Sequence, residues 1–211
     1  MANLVQDTDD IKIITLLPEH AEQVAKLHIS GIATGFISSL GTDFVKALYC
    51  AIAESRHNVC LVAVQDNKVL GFAAFTTNLH DLYRSLIFKR GPKFFLMLSR
   101  KMLSIRTVKK IFETLFYPAR IKKMNLPQAE FLSMAIADEA RGKGLATKLV
   151  RRGFEECAKL GVKELKIFAA VDIQAINNMY KKLGFQLAGQ MENHGVVSNV
   201  YVARTDHFEH H

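Results

Sequence analysis

Residues Arg141-Gly142-Lys143-Gly144-Leu145-Ala146-Thr147 constrain this chain more than any other stretch. An apolar run, Phe131 to Ala137, precedes them, and a run with helical spacing, Gly144 to Leu160, follows. A strand that turns through two glycines into a helix brings backbone N–H groups and the positive end of a helix dipole to one point. Small residues there let a pyrophosphate approach the backbone, and Arg141, Lys143 and Lys148 add positive charge. Two familiar phosphate loops do not fit. The pattern GxxxxGK[ST] needs four residues between its glycines, and only Lys143 separates Gly142 from Gly144. The pattern GxGxxG begins well, but Thr147 stands where its last glycine belongs. Its acid is also misplaced, since Glu164 opens the next strand instead of closing it.

The 211 residues suffice for one sizeable core, and a composition of 49% apolar and 23% charged residues is that of a globular protein. No apolar run is long enough to span a bilayer. The start, MANLVQDTDDIKIITL, is acidic where a signal peptide is basic. Cys50, Cys60 and Cys157 form no CxxC pair, so reduced thiols and a cytoplasmic location are expected. The net charge of +8 is unevenly placed: residues 82–124 hold 12 Lys/Arg and one acid, Glu113, which leaves −3 for the rest. A protein that coats nucleic acid more often spreads its charge over a face of the fold, so no nucleic-acid partner is expected.

Periodicity orders the elements. Ile11 to Leu17 reads as a strand, and Pro18-Glu19 opens a helix with Ala21, Val24, Ala25 and Leu27 at helical spacing. Thr42 or Asp43 is the expected cap of a second helix, with Phe44, Ala47, Leu48 and Ala51 on its apolar side. NVCLVAV and VLGFAAF form a hairpin around Gln65-Asp66-Asn67-Lys68. In the extra segment, Phe95, Leu98, Met102, Ile105, Val108, Phe112, Leu115 and Phe116 have helical spacing, punctuated by Gly91-Pro92 and Pro118. Then come a strand from Glu130 to Ala137, the helix after the glycine loop, a strand from Lys163 to Val171 and a helix from Gln174 to Leu183. A last hairpin turns around Asn193-His194-Gly195.

The glycine loop resembles the acyl-CoA loop of the GNAT superfamily of N-acyltransferases, whose pattern [RQ]-x-x-G-x-[GA] is met by Arg141 to Ala146. Ile136-Ala137-Asp138-Glu139-Ala140-Arg141 stands where that family has V/I-x-P/D-E-x-R. Met179-Tyr180-Lys181-Lys182-Leu183-Gly184-Phe185 is similar to its second signature, (L/F)-Y-x-K-x-G-F. The order of elements agrees over nearly the whole chain. One departure stands out: where the family usually has Asn, seven before the tyrosine, this chain has Ile173, and Asn177 is the replacement expected to reach the cofactor amide.

The resemblance implies an α/β (α+β) fold with a mixed, mostly antiparallel sheet of six to seven strands flanked by helices. It implies one domain over residues 1–206 with a helical insertion at 82–124, and a tail, 207–211, with the look of a tag remnant. The implied activity is acetyl transfer from acetyl-CoA to a primary amine of a small molecule, by direct attack in a ternary complex. Backbone of Met134, Ala135 and Ile136 would meet the thioester carbonyl and pantetheine, and Arg141, Gly142, Lys143, Gly144, Leu145, Ala146 and Thr147 the pyrophosphate. Tyr180 takes the general-acid position. Glu130 stands where one branch carries its base, and it reads equally as a solvated acid at a strand start; the alternative acid position is Phe168. His80, Asp81 and His194 are loop candidates for lining the amine pocket, and no metal spacing occurs among the histidines. The basic insertion has four readings: a roof for the acceptor site, a homodimer surface, a dock for an acyl carrier protein or longer acyl chain, or a membrane-surface helix.

Overall fold

The computed structural model describes residues 11–208 except 34, 100–108, 112, 115, 118, 120, 122 and 123. The elements in chain order are β1 (Lys12–Thr15), α1 (Ala21–Gly31), α2 (Phe36–Ser39), α3 (Thr42–Ala53), β2 (Asn58–Gln65), β3 (Lys68–Thr76) and α4 (Leu79–Ser99). After helical positions between 109 and 121 come β4 (Glu130–Ile136), α5 (Leu145–Lys159), β5 (Glu164–Ala170), α6 (Gln174–Lys182), β6 (Gln186–Asn193) and β7 (Val196–Arg204). The seven strands form one sheet in the order β1-β2-β3-β4-β5-β7-β6. Every pair is antiparallel except β4 with β5.

Side-chain alternation divides the core between the two faces of the sheet. On one face α5 lays Leu145, Leu149, Val150, Phe154 and Cys157 over Leu61, Phe75, Phe131 and Ile167. That helix lies so close to β3 that a Cβ on Gly153 would stand 2.1 Å from the Phe75 ring. On the other face α1 and α3 cover Val62, Phe72 and Ala74 with Val24, Ala25, Val45 and Tyr49. A third cluster joins Leu79 of α4, Tyr117 and Ile121 to Met191 and Val200, with Leu132 and Phe168 packed against it.

The β2–β3 turn forms as its residues dictate: Asp66 and Asn67 take φ 48° and 63°, the left-handed pair a two-residue hairpin needs. Three local expectations are corrected. The cap of α3 is Gly41, at φ 93°, and no side chain caps the helix, so neither Thr42 nor Asp43 does so. Gly91-Pro92 does not end α4, which runs through Pro92. Pro92 faces solvent beside exposed Phe88, so the carbonyl that loses its partner lies on the water side. Phe95 and Phe116 point outward, 64% and 61% exposed, while Phe94 is the buried residue of that turn. The other expected positions, Met102, Ile105, Val108, Phe112 and Leu115, lie outside the described residues.

Candidate active site

The parallel pair at the centre of the sheet is incomplete. β4 and β5 pair at Glu130↔Lys166 and Phe131↔Ile167 only, then part. A bulge accompanies the parting: the register with β3 steps from Ala74↔Ser133 to Phe75↔Phe131, which makes Leu132 the extra residue. The Ala137 N–H donates to the Leu70 carbonyl at 2.8 Å. Alternation along an antiparallel ladder therefore turns Ala135 and Ser133 toward β3, and Met134 and Ile136 toward the gap. Two of the three expected backbone contacts fit this geometry. The Ala135 N–H does not, because it is committed to the ladder with Phe72.

The wide end of the gap leads into the glycine loop. Gly142 and Gly144 take φ 75° and 73°, and a Cβ on either would meet nothing within 4 Å. They are needed for the turn, and the space above them stays open to a ligand. Gly144 is the N-cap of α5 and no side chain caps the helix, so the first-turn N–H groups of Leu145, Ala146 and Thr147 face outward without a side-chain acceptor. Lys143 and Lys148 are exposed nearby. Arg141 is a brace: Nε donates to the Ile136 carbonyl at 3.2 Å and the guanidinium meets Asp138 at 2.8 Å. A pyrophosphate fits this cradle by chemistry and by space.

Tyr180 packs at the apex of the gap. Its ring lies 6.4 Å from Phe131, 5.3 Å from Phe185 and 5.8 Å from Tyr201. Phe131, Ile167 and Tyr201 form the last continuous row before β4 and β5 separate. The Tyr180 hydroxyl has no hydrogen-bond partner among the described residues, and burial pushes it above the usual phenol range. Asn177, expected at the cofactor, is spent on the fold. Its Nδ2 donates to the carbonyls of Ala170 and Ile173 at 2.8 and 2.9 Å, and its Oδ1 accepts from Asn199 and Tyr201 at 2.8 and 2.9 Å. Those bonds use both donor hydrogens and both lone pairs, so the side chain ties α6 to β5 and β7.

Glu130 is a buried acid at the narrow end of the gap, not a solvated one. Its Oε2 accepts from the Tyr117 hydroxyl at 3.0 Å and lies 3.2 Å from Lys166 Nζ. Lys166 is wholly buried and also donates to the Pro127 carbonyl at 2.7 Å. Burial raises the Glu130 carboxyl while Lys166 and Tyr117 pull it down, and burial lowers Lys166 against the pull of Glu130. The Glu130 Oε1 has no partner among the described residues. Nothing in the local sequence announces Lys166 as its partner; a lone lysine in the apolar strand ELKIFAA is the only trace.

The other face of the gap is roofed by distant segments. The rings of Phe36 and His194 lie 4.8 Å apart. His194 Nδ1 pairs with Glu113 at 2.8 Å, its Nε2 lies 3.1 Å from the Thr114 hydroxyl, and Lys110 sits 5.9 Å over the Phe36 ring. His80 and Asp81 are not loop residues: they occupy the first turn of α4, exposed, with Asn78 Oδ1 accepting from both backbone N–H groups. Beneath the roof, His28 Nδ1 meets the Tyr49 hydroxyl at 2.8 Å, which meets Ser133 Oγ at 2.9 Å beside the bulge. Burial pushes His28 down to about 4, so it is neutral near pH 7.

Comparisons with solved structures agree with this architecture. An N-acetyltransferase from Staphylococcus aureus Mu50 superposes with a TM-score of 0.61 at 16% identity, covering 92% of this chain and 98% of its own. A GNAT-family acetyltransferase from Streptococcus pneumoniae gives 0.58 at 16%, covering 92% and 98%. Mutant forms of the spermidine/spermine N-acetyltransferase of Vibrio cholerae give 0.58 at 14%, covering 96% and 98%. At such identities the likeness is one of fold. A search of curated protein sequences finds no match. The model described as the acetyltransferase (GNAT) family matches residues 33–185, most of the chain. The chain therefore belongs to the GNAT family of acetyl-CoA-dependent N-acetyltransferases.

Proposed function

We propose that this chain moves an acetyl group from acetyl-CoA to the primary amine of a small molecule by direct attack in a ternary complex. The observation that carries the reading is the parting of β4 from β5, with outward N–H groups on one lip and the glycine cradle at its wide end. Leu145, Ala146 and Thr147 offer their N–H groups to the pyrophosphate, and Lys143 and Lys148 their charge. Met134 and Ile136 offer N–H groups along the gap, and one of them donates to the thioester oxygen as it becomes an oxyanion. Glu130 Oε1 takes the first proton of the alkylammonium, and burial makes that carboxylate a stronger base. As the new C–N bond forms and the C–S bond breaks, Tyr180 protonates the departing thiolate. The second amine proton then restores the Tyr180 hydroxyl. Burial raises the phenol, so the proton stays on Tyr180 until the departing thiolate develops its charge.

The roof narrows the acceptor. Lys110 over the Phe36 ring favours an amine that also carries negative charge, such as an amino acid or a phosphorylated amino sugar, over a polycation, while His194 is spent on Glu113 and adds no net charge. A second reading, a longer acyl donor, is favoured by Leu132 and Phe168, which pack on the apolar third cluster where the two strands part. The test is a thiol-release screen of amino acids, amino sugars, their phosphates and spermidine with acetyl-CoA, repeated with longer acyl-CoAs. Release with an anionic amine supports the reading. No release with any amine, by protein that binds acetyl-CoA, removes it.

A further inference from the structure

We propose that the outward face of α4 docks this protein on an anionic lipid surface. The inference is independent of the catalytic reading. One side of α4 is anchored in the fold by buried Leu79, Leu82 and Phe94. The opposite side presents Phe88, Phe95 and Leu96, which are 76%, 64% and 74% exposed. Their spacing of i, i+7 and i+8, with exposed Pro92 between them, places them in one stripe. Large apolar side chains gathered on one exposed face mark an interaction surface.

Charge selects the occupant. Residues 82–124 carry 12 Lys/Arg against one acid, and the rest of the chain nets −3. A second copy seated on this face would bring two strongly basic segments together, whereas an anionic surface complements them. The cations flank the stripe as they do on helices that lie in a bilayer interface. The Arg84 guanidinium stands 5.8 Å over the Phe88 ring, and Lys93 is exposed on the far side. Among the described residues no helix is long and apolar enough to cross a membrane, so α4 lies on the surface. Two rings and an aliphatic chain exposed along one side of a helix suit acyl chains better than the side chains of an acidic protein.

The test is flotation of the full chain with vesicles of phosphatidylglycerol and phosphatidylcholine, against vesicles of phosphatidylcholine alone. The protein should float with the anionic vesicles only, and salt should release it. Phe88→Ser with Phe95→Ser should weaken binding by on the order of tenfold or more. Arg84→Gln with Lys93→Gln should weaken it by roughly fivefold per charge removed. Both variants should keep the parent's circular dichroism and urea midpoint; that control shows that they fold and needs no turnover, so failure here is distinct from failure of the catalytic reading. The proposal is overturned by absence of flotation, by equal flotation with neutral vesicles, or by variants that bind like the parent. It is also overturned if light scattering finds a dimer that the Phe88/Phe95 variant dissolves, or if an acidic acyl carrier protein is retained in place of the vesicles.

Discussion

Replacing Lys166 by Met removes a cation that lies 3.2 Å from Glu130 Oε2 in a fully enclosed position. At an effective dielectric of about 20, unit charges at that separation attract by about 5 kcal/mol. Unpairing a buried charge costs roughly 3–5 kcal/mol in proteins. A stability loss of that size is expected near about pH 8, where Glu130 is left charged, with only the Tyr117 hydroxyl to hold it. Burial already raises Glu130, and without Lys166 it rises further. A carboxyl whose folded value lies above its unfolded one stabilises the fold fully below the unfolded value, and that contribution is lost as pH rises through the folded value. Lys166→Met should therefore be most stable in acid, and fall relative to the parent by up to about 1.4 kcal/mol per pH unit above the unfolded carboxylate range. Urea unfolding followed by circular dichroism from about pH 5 to about pH 8 measures this. Adding Glu130→Gln should recover most of the loss at high pH, because no unpaired charge remains. A deficit that is the same at every pH, or a double variant as unstable as the single one, would refute the argument.

Other predictions concern the cleft. Tyr180→Phe keeps the ring contacts with Phe131, Phe185 and Tyr201, so stability should hold while turnover falls by about 10²–10⁴ at unchanged acetyl-CoA affinity; turnover within about threefold of the parent would exclude it as the acid. Gly144→Glu places a side chain and a like charge in the open space above the loop, at a left-handed φ of 73°. Calorimetry should find acetyl-CoA binding nearly abolished, with a fold cost of only about 1–2 kcal/mol. Asn177→Ala takes the acceptor from the buried Tyr201 hydroxyl and the link from α6 to β7, while the Ala170 and Ile173 carbonyls keep the backbone N–H donors of Ile173 and residue 177. It should cost roughly 2–3 kcal/mol in urea melts, with affinity for acetyl-CoA held within a few-fold; a large affinity loss in a stable protein would return Asn177 to the cofactor.

What the sequence disclosed was mostly local. The Asp66-Asn67 turn and the glycine loop follow from the backbone preferences of a few adjacent residues, and both stand in the structure. Where a local rule competes with tertiary surroundings, the rule can lose. Pro92 stays inside α4 because its side of the helix is wet, and Gly41 takes the cap of α3 by adopting φ 93°. The buried Glu130–Lys166 pair was hidden because it depends on the register of a parallel pair, which no spacing within either strand reveals. Asn177 was misread for the same reason: its partners on β5 and β7 are set by how the sheet closes around α6. The joining of Glu113 to His194 likewise depends on a long connection whose path the residue pattern does not encode.

The proposed chemistry requires acetyl-CoA to lie in the gap between β4 and β5, and amide hydrogen exchange resolved by residue tests that most directly. Alternation gives a signature that general tightening of the fold cannot imitate. On addition of acetyl-CoA the N–H groups of Met134 and Ile136, which face the gap, should gain protection, together with those of Leu145, Ala146 and Thr147 at the start of α5. The N–H groups of Ala135 and Ser133, already paired with β3, should change little. Protection confined to the loop, or spread evenly along Ser133 to Ile136, would contradict the placement of the substrate between the strands.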